Sequence, residues 1–436
     1  MSREPILPIY RPRGDGTIPL YEGELDVDVG GADALRAKGR VELRLEPQVG
    51  LTAWIPGPAC VNLFFSDDRQ RPDRTMTVPG TSSLRPPMAD RPEHKGCEGT
   101  FPVDPITAGN IEAATHLLFH FGGALEARPS PGGFLGDSHQ TQIDFELPGW
   151  NLTLVPGDRE IDAFCALVKA VPKSAEIEMS KVEKLDRRLF FLLSFIANRE
   201  VGAGAVAGLD SQDEVVWTYW GPPRADPKRA PIRWCPEMLI GEALPMLGSG
   251  LSAFDSDEAM VEIIDRAIGY SLAANDNALL DVKVPIACSG LELLSWAVLQ
   301  REGIMRTGDE RRKLRPDGML GLLLNWAEIP IDVPADMSEL EHRRQQRCEK
   351  VSAGPEVLFN VRNGLVHPPK RLDDPEWPSP EELFQAWQLA TWYLELGLLR
   401  TFNYHGEYWS RLRLGRSAYD LEPVPWVKDS TEEGSN

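Results

Sequence analysis

The stretch LFNVRNGLVHPP, Leu358 to Pro369, places an arginine, an asparagine and a histidine at the end of an apolar segment. Histidine titrates near neutral pH, so it can accept or donate a proton during a reaction. Arginine carries a permanent charge and a planar set of donors that can hold an anionic oxygen. Arg362, Asn363 and His367 are therefore the residues whose types and spacing point most directly to chemistry.

The apolar spacing predicts a helix whose buried stripe consists of Val357, Leu358, Val361 and Leu365. At about 100° per residue, Arg362 lies on one shoulder of this stripe and His367 about 140° away from the arginine. Gly364 weakens the last turns, and Pro368 disfavours the helical conformation at His367. The imidazole is therefore expected where the helix ends, free to turn back toward Arg362.

Phe359 and Val366 fall on the face opposite the core stripe, on the side of Arg362. Exposed apolar residues there would indicate a partner surface, which in a small helical bundle often means dimerisation. The alternative is that another helix of the same chain covers both side chains. The sequence leaves these two interpretations open.

A carboxylate on a second helix bears on the same question. Glu292 shares one side of its predicted helix with Cys288, Ser295, Trp296 and Leu299. A carboxylate among such neighbours needs a cationic partner. Arg362 is a suitable partner because a guanidinium can bind a carboxylate through two parallel hydrogen bonds.

The pattern RNGLVH, Arg362 to His367, at a helix end in a C-terminal bundle resembles the R-x(4–6)-H motif of HEPN domains. The polar residue directly after the arginine is also similar to that motif. The Glu292-bearing helix, CSGLELL, and its spacing from the motif resemble the Apea-like branch of the family. The resemblance covers roughly residues 253–410.

What the resemblance implies is a metal-independent endoribonuclease, often a toxin or an abortive-infection effector, with a composite site where two bundles meet. It implies catalytic roles for Arg362, Asn363 and His367. Glu292 would hold the arginine in position without contacting the substrate. RNA would be the substrate, a homodimer through the bundle the active form, and a phage or host protein the trigger. The competing interpretation is a non-catalytic dimerisation or binding module that presents the N-terminal domain to a protein or nucleic-acid partner.

The elements that must position these residues predict an α+β protein. Short β-branched and aromatic runs broken by Pro and Gly favour a β-rich N-terminal domain over 1–170, a sandwich or barrel. A mixed connecting segment follows over 171–250, with one helix over Lys181 to Glu200. A C-terminal all-α helical bundle of about five helices is predicted over 251–412, and an acidic tail over 413–436.

The helical part carries recognisable start signals. SDEAM predicts a helix with Ser256 as N-cap and an acidic first turn. Ser379 followed by Pro380 and two glutamates predicts a capping box at the start of the last helix. The basic runs at 306–315 and 342–350 are interpreted as loops and solvated helix faces.

Composition argues against several function classes. The formal net charge is −20, which opposes non-specific binding to nucleic acid. The six cysteines form no CxxC pair, so we expect neither a zinc site nor any other cofactor. The N-terminus lacks a hydrophobic signal region, and the longest apolar run, Leu189 to Ala197, is about half of what spans a bilayer. We therefore expect a cytoplasmic protein with reduced thiols and no membrane partner.

Two further motifs are interpreted as structural. His116 and His120 in HLLFH lie at i, i+4 on a predicted helix, but without a HExxH glutamate or a third ligand. The run GAGAVAG, 202–208, lacks both the GxGxxG spacing and the Walker lysine, so nucleotide binding is not expected.

Overall fold

The computed structural model describes residues 6, 8–11, 13, 17–28, 35–44, 50–55, 75–77, 93–95, 98–102, 105–122, 142–156, 166–174, 176–226, 232–305, 314–346, 353–367, 377–413 and 421–427. The chain divides into two compact units. The first comprises residues 1–126, 135–190 and 200–229, and the second comprises 127–134, 191–199 and 230–436. The predicted α+β class is confirmed, because the first unit is rich in strands and the second in helices.

In the described part of the first unit, the strands form two antiparallel sheets. Six strands in the order β4-β1-β2-β3-β6-β5 form one sheet. Their bounds are β1 Thr17–Asp28, β2 Leu35–Arg44, β3 Gly50–Ile55, β4 Thr75–Thr77, β5 Glu93–Lys95 and β6 Glu98–Pro102.

Seven strands form the second sheet, in the order β7-β13-β12-β8-β11-β10-β9. Their bounds are β7 Ile106–Gly109, β8 His116–Phe121, β9 Ile143–Leu147, β10 Trp150–Pro156, β11 Ala166–Pro172, β12 Ala203–Leu209 and β13 Val215–Trp220. Strands β12 and β13 lie within the predicted connecting segment but pair inside this sheet. The segment 171–250 thus divides between the two units.

The run GAGAVAG forms most of strand β12, which is buried along nearly its whole length. A Cβ on Gly204 would lie only 2.8 Å from Leu43 Cδ2 of strand β2. The small residues of this run therefore allow β12 to approach the other sheet closely. This packing explains why glycines occur here, and a nucleotide-binding role is not needed to explain them.

His120 links the N-terminal segment to the seven-stranded sheet through a hydrogen bond. The predicted helix over HLLFH is wrong, because these residues form strand β8, and His120 is fully buried. Its Nε2 accepts from the Ile9 N–H at 3.2 Å, and its Nδ1 lies 3.3 Å from the Ala205 carbonyl. Nε2 can accept a hydrogen bond only when the imidazole is neutral, so the ring is neutral in the folded chain.

The first unit should lose stability as the pH falls from about 6.5 to 4. Burial lowers the pKa of His120 to about 4, although hydrogen bonds to Ala205 and Leu118 act to raise it. The unfolded chain, with a histidine pKa near 6.5, binds more protons in this window. The neutral, buried His120 therefore contributes about 3 kcal/mol to the free energy of unfolding above pH 6.5. This contribution is lost as the pH falls from about 6.5 to 4.

Urea unfolding followed by tryptophan fluorescence at pH values from 4 to 8 would measure this dependence. His120→Leu should flatten the slope between pH 6.5 and 4, whereas His342→Gln, at an exposed position, should leave it unchanged. An equal slope in wild type and His120→Leu would contradict the assignment.

The connection to the second unit contains helix α1, Met179–Ala197, as predicted for 181–200. Within the described residues, the second unit contains α2 Ile240–Ser252, α3 Glu258–Ala274, α4 Leu280–Arg301, α5 Pro316–Trp326, α6 Ser338–Gln346, α7 Gly354–Val366 and α8 Pro380–Thr401. Five of these, α3, α4, α5, α7 and α8, match the predicted set, and α2 and α6 were not foreseen.

The helix starts confirm one predicted cap and correct another. At α8, Ser379 Oγ accepts from the Glu382 N–H at 3.1 Å, and Glu382 Oε2 accepts from the Ser379 N–H at 2.7 Å. The capping box is therefore present. At α3 the cap is Asp257 rather than Ser256, since Asp257 Oδ1 accepts from the Met260 N–H.

Helices α4 and α8 run parallel through the middle of the second unit. A Cβ on Gly290 would lie 3.0 Å from Leu394, and one on Gly397 would lie 3.1 Å from Leu294. Both glycines therefore bring the two helices close together. Helix α7 runs antiparallel to α8, because Gly354 lies beside Tyr393 while Gly364 lies beside Pro378.

The acidic tail was predicted to begin at residue 413, but residues beyond this position still pack in the helical unit. Val424 is fully buried, and Trp426 Nε1 donates to the Tyr404 carbonyl at 2.7 Å. Strands β14 Glu407–Tyr408 and β15 Glu422–Pro423 also pair. Residues 421–427 therefore belong to the helical unit, because their apolar side chains are buried there; residues 428–436 lie outside the described part of the chain.

Among the described residues, helix α4 is long and apolar enough to cross a membrane. In this structure 56% of its apolar window is buried inside the protein. The central helix of a soluble bundle meets the same criterion, so this feature is weak evidence for a membrane span.

Candidate functional site

The predicted site residues lie on the last two turns of α7 and at its end. Arg362 and Asn363 are half-buried, and His367 is exposed. His367 is the C-cap, with extended backbone at φ −110° and ψ 142°. The helix therefore ends at His367, where Pro368 was expected to disfavour the helical conformation.

Asn363 contacts both of the other motif residues. Its side-chain Oδ1 accepts from Arg362 Nη1 at 3.0 Å, and its backbone carbonyl accepts from the His367 N–H at 3.1 Å. The asparagine thus orients the guanidinium through its side chain and fixes the last helical hydrogen bond through its carbonyl. The imidazole of His367 makes no hydrogen bond within the described part of the chain, so its nitrogens are available to a ligand.

Arg362 also influences the buried thiol of helix α4. Burial raises the pKa of Cys288 to about 12, while Arg362 acts to lower it and Glu292 acts to raise it. Both charged groups therefore lie near this thiol, which places α7 beside the Glu292 segment of α4 as the sequence suggested. Arg362 Nε is buried and has no hydrogen-bond partner among the described residues.

The direct Arg362–Glu292 ion pair expected from the sequence is absent from the described ion pairs. The expectation assumed that a carboxylate among apolar neighbours must be neutralised. Glu292 is only half-buried, so water can solvate it without a cationic partner. The site therefore contains an arginine held by Asn363, with Glu292 near the same thiol rather than bonded to the guanidinium.

The two apolar residues on the outer face of α7 differ in environment. Phe359 is 3% exposed, so it is covered within this chain, whereas Val366 is 42% exposed. The intramolecular interpretation therefore holds for Phe359. Val366 remains available to a partner, next to Arg362 on the helix.

A second arginine beside α7 was missed by the sequence interpretation. Arg343 belongs to the basic run at 342–350, but it is only 7% exposed on helix α6. Its Nε donates to Asn360 Oδ1 at 2.9 Å, and its Nη1 donates to Glu382 Oε1 at 2.9 Å. The available signal was its position three residues after the fully buried Leu340, which puts both residues on the buried face of α6.

No group of three or more metal-capable side chains occurs within the described ranges. His116 Nε2 lies 3.1 Å from Asp213 Oδ1, while His120 contacts the backbone, so their environments differ despite the i, i+4 spacing. The metal-free site remains a prediction.

Residues 257–422 match the family model described as the YopA C-terminal domain. This match covers less than half of the chain and contains Glu292, Arg362, Asn363 and His367. Over 250 residues the chain is 24% identical to the SPbeta prophage-derived uncharacterized protein YopA of Bacillus subtilis (strain 168), which covers 57% of this chain and 54% of the relative. The chain thus spans about half the length of this curated relative.

No solved structure matches the chain. Neither sequence match bears on the HEPN resemblance, which remains a prediction.

Proposed function

We propose that this protein is a metal-independent endoribonuclease of HEPN type that acts in the cytoplasm as a homodimer. The observation that carries the proposal is the end of α7, where an exposed histidine follows an arginine oriented by Asn363. The ring nitrogens of this histidine make no hydrogen bond to any residue that the structure describes. The defence or toxin role, with the first unit sensing a phage or host trigger, rests on the resemblance alone. A prophage-derived relative is compatible with a phage-related setting.

The chemistry fits the three side chains. During RNA cleavage the 2′-oxygen attacks the phosphate on the adjacent 3′-oxygen of the same ribose. A base removes the proton of the 2′-hydroxyl, and an acid protonates the departing 5′-oxygen. His367 can perform either proton transfer, and in a dimer the second His367 can perform the other. Arg362 stabilises the charge that accumulates on the phosphorane oxygens, using donors already fixed by Asn363. The products are a 2′,3′-cyclic phosphate and a 5′-hydroxyl.

A cleavage assay on total RNA in excess EDTA tests this function directly. We expect wild-type protein to cut RNA without metal and to leave 2′,3′-cyclic phosphate ends. These ends are detectable because they cannot be ligated through a 3′-hydroxyl until the ring is opened and the remaining phosphate is removed. Products carrying 3′-hydroxyl ends, or cleavage that EDTA abolishes, would contradict the proposal.

The competing function is a non-catalytic binding module. It is favoured by a set of exposed apolar residues in the helical unit, Leu279, Val282, Val366, Trp377 and Phe384. Under this alternative the motif would stabilise the helix end and the exposed residues would bind a partner. The assay separates the two functions, since a binding module cuts no RNA under any trigger.

The dimer of the nuclease proposal also uses apolar residues at this end of the bundle. Leu279 is 74% exposed, Val282 47% and Phe384 41%, at the N-terminal ends of the parallel helices α4 and α8. Lys283 lies 5.0 Å from the Trp387 ring centre, and Phe384 and Trp387 are 5.8 Å apart between ring centroids. The Lys283–Trp387 contact joins the N-terminal ends of α4 and α8, and the Phe384–Trp387 contact orders the aromatic side chains within α8.

The double change Leu279→Asp/Phe384→Asp should weaken dimerisation by roughly 30-fold or more, the loss expected for a pair of central interface residues. Analytical ultracentrifugation over a concentration series would measure it, and RNA cleavage should fall in parallel. Ile304→Asp is the matched control, because Ile304 is 44% exposed beyond the other end of α4. An unchanged dimer in the double variant would place the interface elsewhere.

A further inference from the structure

Arg343 has the geometry of a ligand-binding guanidinium as well as that of a structural ion pair. Asn360 and Glu382 hold its Nε and Nη1, so the planar head group is fixed while the side chain is 7% exposed. Its Nη2 makes no hydrogen bond within the described residues. A guanidinium has five N–H donors, and the two contacts use only two of them.

Nη2, which has no hydrogen-bond partner among the described residues, lies beside one particular part of α7. It lies 3.9 Å from the position that a Cβ on Gly364 would occupy, and Pro378 lies 3.7 Å from the same point. Because residue 364 has no side chain, nothing at this position covers Nη2. A glycine inside a helix is less stable than an alanine, so leaving this position uncovered lowers the stability of α7.

Asn360, Gly364 and His367 are spaced i, i+4 and i+7, which places them on one face of α7. That face is the one that Arg343 contacts. Arg362 follows Asn360 by two residues, or about 200°, and so lies on the other side of the helix. The guanidinium on the same face as His367 is therefore that of Arg343.

We propose that Arg343 is a second phosphate-binding residue of the site, holding a nucleic-acid phosphate on the His367 side of α7 through Nη2. The inference rests on the proposed function and refines it. Arg362 and Arg343 would contact the backbone of a single strand from opposite sides of the helix end. Glu382 offsets part of the charge of Arg343, so the contact depends on the fixed donors of Nη2 more than on net charge.

Inorganic phosphate is the probe that does not require cleavage. Histidine-labelled full-length protein would be titrated with phosphate, and the His367 imidazole resonances, assigned from their absence in His367→Ala, would be followed by NMR. We expect a saturable shift in wild type and at least about 10-fold weaker binding in Arg343→Met/Glu382→Gln, the loss expected for one charged hydrogen bond. The Glu382→Gln change keeps an acceptor for the Ser379 N–H, and no unpaired carboxylate remains.

The matched control is Arg344→Met/Glu341→Gln, which removes an equivalent pair one residue along α6, with Arg344 Nη2 and Glu341 Oε1 2.6 Å apart. It should bind phosphate as wild type does. Arg343→Lys is the second variant, because lysine can still pair with Glu382 but lacks the Nη2 donors, so it should also lose affinity. Unchanged affinity in the folded Arg343 variants, or no response of His367 in wild type, would overturn the proposal.

RNA assays separate this inference from the proposed function. If His367-dependent cleavage occurs and the Arg343 variants cleave at the wild-type rate, the inference fails and the nuclease stands. If no RNA is cut while phosphate still binds at His367 through Arg343, the nuclease fails and the anion site stands. The joint expectation is cleavage lowered roughly 10- to 100-fold in the Arg343 variants.

Discussion

His367→Ala should lower the rate of RNA cleavage by about 100-fold to 10,000-fold and leave the melting temperature nearly unchanged. General acid–base catalysis by a positioned side chain contributes a factor of this size. The imidazole is exposed and bonded to no other described residue, so its removal takes away no packing or hydrogen bond of the fold. Single-turnover cleavage in EDTA and a thermal melt of the same preparations measure both parts.

His342→Ala is the matched control, since it removes another exposed histidine from the same unit. It should cleave RNA as wild type does. Cleavage by His367→Ala at the wild-type rate would remove His367 from the reaction and favour the binding-module alternative. A large drop in melting temperature for His367→Ala would instead assign the histidine a structural role.

Arg411→Met should destabilise the helical unit by about 3–5 kcal/mol, the cost of leaving a buried charge without its partner. Arg411 is 2% exposed and Glu395, on α8, is 1% exposed. Arg411 Nε donates to Glu395 Oε2 at 2.7 Å, Nη2 lies 2.7 Å from Oε1, and Nη2 also donates to the Ile232 carbonyl at 2.9 Å. Burial raises the pKa of the Glu395 carboxyl, and Arg411 acts against this shift.

The double variant Arg411→Met/Glu395→Leu should recover most of the lost stability, because it removes both charges and leaves apolar groups in their place. Urea unfolding followed by the far-ultraviolet helical signal would measure both variants. Arg266→Met is the surface control. Arg266 and its partner Glu262 are both more than half exposed, so solvent screens the pair and Arg266→Met should cost far less stability than Arg411→Met. A single Arg411→Met variant as stable as wild type would contradict this interpretation of the pair.

Local sequence signals determined much of the architecture. Short β-branched and aromatic runs predicted strands β9, β10 and β13, and the apolar spacing predicted helices α1, α3, α4, α5, α7 and α8. Ser379 and Glu382 predicted their own capping box, because both partners of that motif lie within four residues. The pattern also placed Arg362 on the shoulder of α7 and His367 at its end, since helical periodicity alone fixes these positions.

Misassigned elements show where local patterns were ambiguous. HLLFH fits one helical turn and one strand equally well, and its pairing with β11 and β12 decided the outcome. The basic run containing Arg343 resembled a solvated face, because charged side chains are rarely buried. Only the packing of α6 against α7 and α8 brought Asn360 and Glu382 to that guanidinium.

The sequence by itself determined the α+β class, most of the helices and the residues that could do chemistry at the end of α7. The tertiary structure decided which groups meet there. Arg362 is oriented by its neighbour Asn363 rather than by Glu292, and Arg343 reaches the His367 face from a separate helix. The physical reason is that helical periodicity fixes direction within one element, whereas contacts between elements depend on how distant side chains pack.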